Sequence, residues 1–435
     1  MKNISKRILI ILIICLPSFA FAQSDVPAPA PAQTKSVYLT HATIHVGNGQ
    51  VLQNATIGFE KGKIIFLEEN PTFKTDETLG KIIDCTGKHI YPGIIAPNTK
   101  IGLTEIESVR ATNDYNEVGS YNPNVRAIIS YNTDSRVTPT IRSNGVLYAQ
   151  IAPQGGSISG TSAVAQLDAW NWEDALAKED GIWLNWPSVL SGGGWWAEPS
   201  APKTNKDYDK QVTAIKEYFT EAKSYCAVAQ HAKTNLRFEA MRGLFDKTKK
   251  LYVNAGRIKE MQHAIQLAEE MNLQLVLSGA DESWMIADEL AKKKVSVILG
   301  KTHDLPASTD EDIDQPYKTP AVLQKAGVLF CLSIPGGFWQ ERNLMFNAGT
   351  AAAYGLSKEE ALSAITLNTA KILGVDAQIG SLEKGKAASL IVSSGDVLDM
   401  RTSNIEFAFI DGRQIDLNNK QKELNEKYLK KYGLN

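Results

Sequence analysis

Cysteine is scarce and scattered: four in 435 residues, with no Cys-x-x-Cys pair. Cys15 lies in the N-terminal apolar stretch, leaving Cys85, Cys226 and Cys331, an odd number that excludes a disulfide framework and allows at most one pair. A membrane-spanning run is missing at the N-terminus, because the apolar stretch from Ile8 to about Phe19 is too short to cross a bilayer. A dominant charge sign is missing too. The 46 Lys and Arg nearly balance the 48 Asp and Glu, net −2, which gives no basis for binding nucleic acid or an anionic membrane surface.

What the N-terminus does carry is Lys2, Lys6 and Arg7, then that apolar run, then Ala20-Phe21-Ala22 before Gln23. This reads as a secretory signal over residues 1–22 with a small-x-small cleavage site. Ile14 before Cys15 is bulkier than a lipid-attachment site wants, so the expectation is a soluble exported protein, periplasmic, with no membrane span. Cleavage would leave 43 basic against 48 acidic residues, a balance of −5. Residues 23–35, with Pro27, Pro29 and Pro31 among alanines, read as an extended, disordered leader. The remaining length supports a large core or two domains.

From Ser36 to about Tyr91, short apolar runs are broken by Gly47-Asn48-Gly49, Glu60-Lys61-Gly62 and Thr86-Gly87, which predicts a small antiparallel sheet. Residues 380–417 have the same texture, with breaks at Gly385, Gly395 and Asp411-Gly412. One composite β-sandwich built from 36–91 plus 380–417 is therefore expected. The centre, 92–375, alternates strand-like and helix-like runs: Leu251–Val253 then Arg257–Met271, Leu273–Leu277 then Ser283–Lys293, Val295–Leu299, Gly327–Leu332, and Ser357–Leu373. That order implies a parallel sheet with helices outside it. Ser357 with Glu360 forms a capping box opening the last central helix. Residues 418–435 read as a helical tail.

Three segments carry a family resemblance. Ile90-Tyr91-Pro92-Gly93-Ile94-Ile95-Ala96-Pro97 leads to Asn98-Thr99-Lys100. This resembles the opening motif of the amidohydrolase superfamily, an apolar strand after Pro-Gly that ends in His-x-His. Thr366-Leu367-Asn368-Thr369-Ala370 resembles its Thr-x-Asn-Pro-Ala helix, and Gly380-Ser381-Leu382-Glu383-Lys384-Gly385-Lys386-Ala387-Ala388-Ser389-Leu390 resembles its return to the sandwich. The resemblance covers nearly the whole chain after the leader. It implies an α/β fold, a (β/α)8 TIM-like barrel with a composite β-sandwich formed by both chain ends, in the manner of imidazolonepropionase-like amidohydrolases. Those relatives cleave carbon–nitrogen bonds in cyclic amides or dipeptide-like compounds with a metal-activated water.

The residues at the matching positions do not fit that chemistry. Alternate residues of a strand share a face, so a His-x-His would aim two nitrogens at one cation, and here stand Asn98 and Lys100. An ammonium has three donors and no lone pair. Asn254 in Val253-Asn254-Ala255 takes the place of a ligand histidine, and the catalytic aspartate after Ala326-Gly327-Val328 falls on Pro335, or on Ile334 if the alignment slips by one. A hydrolytic zinc site needs about three protein ligands and an open water position. The expected reading is a metal-free, catalytically impaired hydrolase homologue, a pseudoenzyme with no cofactor. It would bind a small-molecule ligand, or assemble as a homo-oligomer or with an active amidohydrolase. The alternative is an active amidohydrolase that uses zinc on other ligands.

For that alternative the strand ends offer His303, Asp304 and Asp281, against a plain reading as a loop histidine and helix-capping acids. Arg257 and Glu282 stand nearby, and Arg257 could equally be a helix-start residue pointing to solvent. Lys100, if it points inward, needs a partner, and Asp281, Glu282, Asp304 or Asn254 are the expected ones. His41 and His45, spaced i, i+4, read as sandwich or surface packing, and His231 and His263 as helix surface. Six of the eight tryptophans fall between Trp170 and Trp196. With the glycine-rich 155–160 segment they suggest a long insertion over the barrel mouth, serving as a satellite core or contact surface.

Overall fold

The structure is a computed structural model that describes residues 28–71, 80–191 and 203–434. The leader cleavage site, Trp195 and Trp196 lie outside them. The chain opens with β1 (Val37–His45), β2 (Val51–Glu60), β3 (Lys63–Glu69), β4 (Lys81–Asp84) and β5 (His89–Pro92). It then enters β6 (Ile94–Thr99), β7 (Val146–Ile151), β8 (Ile158–Gln166) and β9 (Leu176–Asn185). A two-residue pair, β10 (Leu190–Ser191) and β11 (Lys203–Thr204), precedes β12 (Lys250–Ala255), β13 (Leu275–Gly279), β14 (Ser296–Leu299) and β15 (Phe330–Leu332). The last strands are β16 (Leu390–Ser393), β17 (Ile405–Ile410) and β18 (Arg413–Gln414).

Among the described residues, β6 to β9 and β12 to β15 form one eight-stranded sheet in chain order. β6 is buried along its whole length, as continuous apolar strands covered on both faces are. The sheet stops just short of closing, because β15 and β6 do not pair. Residues 364 and 365 fill the gap at one level, Ala364 O accepting from Leu332 N and Ile365 O from Ile95 N at 3.1 and 3.0 Å. At the mouth the gap is stitched by Gly336 N to Asn98 O and Lys100 N to Gly337 O, both 3.0 Å.

The sheet is not parallel throughout, contrary to the expectation. β8 runs antiparallel to β7 and β9, while the other neighbours pair parallel. The physical reason is the connection, residues 152–157 between β7 and β8, too short for the crossover a parallel pair needs. The glycine-rich stretch is therefore a barrel turn and strand, not an insertion over the mouth. Likewise Trp183 and Trp186 belong to the barrel core, Trp183 stacking on Tyr252 with ring centroids 5.0 Å apart.

The two chain ends share a second sheet, ordered β18-β17-β16-β5-β1-β2-β3 with β4 on β1. It is mixed, not antiparallel: β1 pairs parallel with both β4 and β5. Its own core includes Leu39, Ile44, Ile57, Phe59, Ile90, Leu390 and Phe409. The Phe59–Phe409 edge contact, centroids 5.1 Å apart, joins the two ends and is worth about 0.5–1.5 kcal/mol beyond area burial.

Buried Asp168 ties this sheet to the barrel, accepting from Arg142 and, at 2.8 Å, from Arg413 of β18. It also accepts from Ala30 N at 2.9 Å, and Gln33 bonds Phe59 O and Gly62 N. The described part of the proline-rich leader is thus held against the sheet, not free. The capping box of Ser357 and Glu360 is present, but the expected single helix is two, Lys358–Ser363 and Leu367–Leu373. Cys85, Cys226 and Cys331 are unpaired, and Lys420–Tyr432 is the C-terminal helix.

Candidate functional site at the barrel mouth

β6 ends in a bulge, its register with β7 shifting between Ala96 and Thr99. Asn98 there has a left-handed backbone, φ 54°, a conformation asparagine tolerates better than most residues. Its main chain is held from both sides, N donating to Gln150 Oε1 at 2.9 Å and O accepting from Gly336. Its side chain donates to Ser278 Oγ of β13 at 3.2 Å. Asn98 and Lys100 reach one cavity as their alternate spacing suggested, though through a bulge.

That cavity, about 790 Å³, also takes in Asn185 at the end of β9, Asn254 of β12, Gln154 and Gln340. Asn254 donates to Asn185 Oδ1 at 2.6 Å, and Asn185 donates in turn to Gly156 O and Ser159 Oγ. Phe338 and Trp339 line another wall. The ends of β6, β9 and β12 thus present carboxamides, which donate and accept but do not titrate.

Lys100 does not pair with Asp281, Glu282, Asp304 or Asn254. Its ammonium meets Glu107 Oε1 at 2.7 Å, from the loop after β6, and lies over the rings of Tyr115 and Phe338, 4.9 and 5.6 Å from their centroids. Its side chain is 8% exposed and that of Glu107 61%. The local partner wins because a seven-residue loop brings Glu107 over the cavity, whereas the expected carboxylates belong to strands across it.

Below the mouth the barrel interior is polar. Asp180 of β9 accepts from Gln150 at 2.5 Å, Ser162 at 2.7 Å and Tyr252 at 2.6 Å. Burial pushes its carboxyl above the usual range, while those three donors pull back. Since Gln150 also holds Asn98 N, the mouth is braced by a connected hydrogen-bond network centred on Asp180.

Asp281 and Asp304 line a neighbouring cavity of about 460 Å³, which shares Pro335 and Gln340 with the first. Partial desolvation raises the Asp281 carboxyl, Arg257 opposing and Asp304 adding to the rise. His303 is turned away from Asp304: its Nε2 meets Thr350 Oγ1 at 2.6 Å, and Asp304 instead pairs with Lys301 at 3.3 Å. Arg257 binds Glu282 at 2.6 Å and Ala307 O at 3.2 Å, and Glu282 accepts from Ile258 N at 2.9 Å. Both therefore secure the start of helix Ile258–Met271 and stand outside the amide-lined cavity.

The remaining histidines are structural. His41 pairs with Asp84 on the surface. His45 is separated from it by a bulge and joins the end sheet to helix Lys358–Ser363 through Glu359, at 2.7 Å, and to His89 at 3.1 Å. His263 meets Tyr208, and His231, in a loop between helices, meets Tyr225 O. Asn185 and Glu107 were missed in the sequence. Asn185 ends the apolar run Ile182-Trp183-Leu184 as Asn254 ends its own strand, a signal hidden by the surrounding tryptophans.

The architecture is a nearly closed, TIM-like eight-stranded barrel with polar strand ends at its mouth. Residues 326–415 match the model of the amidohydrolase family. An amidohydrolase from Thermotoga maritima MSB8 is 25% identical and superposes with a TM-score of 0.76, over 87% of this chain and 99% of its own. A Xaa-Pro dipeptidase with bound methionine in the active site aligns at 13% identity, TM-score 0.56, over 88% and 100%. Molinate hydrolase aligns at 14%, TM-score 0.54, over 88% and 95%. No curated protein matches the sequence. The family match and these superpositions support likeness to the amidohydrolase superfamily, with the direct sequence match confined to residues 326–415.

The metal that such a fold implies does not fit the residues present at this mouth. Lys100, held as an ion pair, would stand beside the ion, and a like charge at about 4 Å costs several kcal/mol at intermediate dielectric. Asn98 and Asn254 offer only neutral carboxamide oxygens where a hydrolytic zinc site uses imidazole, thiolate or carboxylate ligands.

Proposed function

We propose that this protein is an exported, metal-free member of the superfamily whose barrel mouth binds a small molecule and hydrolyses none, acting alone or assembled with an active relative. The observation that carries this is the buried Lys100 ammonium, paired with the exposed Glu107 and set among Asn98, Asn185 and Asn254 at the strand ends. None of these groups can act as a base toward water in the positions they hold, except Glu107, whose carboxylate is committed to the ammonium. The dipeptidase with methionine in its active site supports the mouth as the place where a ligand sits. We read the mixed sheet from both chain ends as the family's composite sandwich, on the strength of its separate core.

The competing reading, an active amidohydrolase with non-standard ligands, would have to use Asp281 and Asp304 without His303. The purified protein, supplied with zinc or manganese, is expected to show no turnover of cyclic amides or dipeptides. Metal-dependent turnover abolished by Asp281→Asn or Lys100→Met would overturn the proposal and make those residues catalytic.

A further inference from the structure

Two carbonyl oxygens in the mouth have no hydrogen-bond donor among the described residues: Oδ1 of Asn98 and Oδ1 of Asn254, whose amide nitrogens are both engaged. The Lys100 ammonium, which lies over the Tyr115 and Phe338 rings, has one hydrogen-bond acceptor among the described residues, Glu107, and two N–H groups without one. Acceptors and donors without partners thus face the same space, beside the Phe338 and Trp339 rings.

Charge decides what kind of ligand this suits. The positive charge of Lys100 is already met by Glu107 at 2.7 Å, so a carboxylate or phosphate would have to expel Glu107 or share its cation. A cationic ligand would meet Lys100 itself. A neutral ligand leaves the pair intact. A hydroxyl donates and accepts at one atom, so adjacent hydroxyls can give to the asparagine carbonyls while taking the lysine N–H groups. A volume of about 790 Å³ lies within the range of small-molecule sites.

We propose that the mouth is a binding site for a neutral saccharide, with hydroxyls held by Asn98, Asn254 and Lys100 and a carbon face laid on Trp339. This rests on the metal-free reading above and deepens it by naming the ligand class.

The test is calorimetric titration of the full chain with glucose, N-acetylglucosamine, cellobiose and chitobiose, with glucuronate and glucose 6-phosphate as charged counterparts. At least one neutral sugar is expected to bind, with affinity unchanged between low and high salt, since no charge is exchanged. Asn254→Leu and Trp339→Ala should each weaken binding about tenfold, the loss of one good contact. Gln340→Leu, at an exposed position of the same cavity, gives a variant whose folding is not at stake and should also weaken it. Failure of every neutral sugar to bind, preference for the charged ones, or equal binding by the three variants would overturn the proposal. Metal content measured on the same sample separates the two readings. Metal-free protein that ignores sugars ends only the saccharide assignment, and a bound ion ends the underlying reading.

Discussion

Glu341 lies fully buried just after the mouth-closing turn, and neither carboxyl oxygen has a partner among the described residues. An unpaired buried carboxylate is costly, so burial pushes this group well above the ordinary glutamate value near 4.5 and holds it neutral. An acid whose folded pKa is raised binds its proton more tightly folded than unfolded. Its contribution to stability is whole below about pH 4.5 and is lost as pH climbs toward the folded value. Glu341→Leu should therefore stabilise the protein by about 1–3 kcal/mol near neutral pH and flatten the decline as pH rises from about 4.5 to neutral, read from denaturant unfolding at each pH. A variant less stable than the parent at both ends of that range would contradict this. Nothing in the sequence marks Glu341 as buried, since Trp339-Gln340-Glu341-Arg342 reads as a polar turn. Lys100 was legible as a charge at the mouth because the strand and its apolar run are explicit, but Glu107 was not, being set by a loop with no periodicity.

At the scale of elements, β8 and β9 show what pattern can and cannot give. The strands with helices between them, β12 to β15, were visible as alternating runs, and the Ser357 capping box fixed a helix start to the residue. β7 to β9 were not visible, because glycines and tryptophans in a hairpin-connected part of a barrel read as an insertion. Gly181 explains one of those glycines: a Cβ there would stand 2.3 Å from Lys250 O and 2.5 Å from the Tyr252 ring. Only glycine lets β9 and β12 approach so closely. Gly181→Ala is expected to cost about 1–3 kcal/mol or more, as overpacking does. It should also loosen the Asp180–Tyr252 contact, seen as faster amide exchange along β9 and β12. Unchanged melting and exchange would mean the strands can part without consequence.

Across the whole molecule, one face of the end sheet has a core of its own, while Ile391, Ala408 and Ile410 on its other face join the barrel core, and Asp168 adds a polar tie to Arg413. That both chain ends return to one sheet was legible in their matching turn-broken texture. The parallel pairing of β1 with β4 and β5 was not, since register between distant strands leaves no local mark. Among the described residues, no helix is long and apolar enough to cross a membrane. The barrel's mouth, built of amides and one ion pair, is where the account of function stands or falls. Elemental analysis of the purified protein measures that most directly. The account predicts zinc, manganese and other divalent ions far below one per chain, before and after chelator. About one ion per chain, retained through chelation and lost on Asp281→Asn or Lys100→Met, would contradict it.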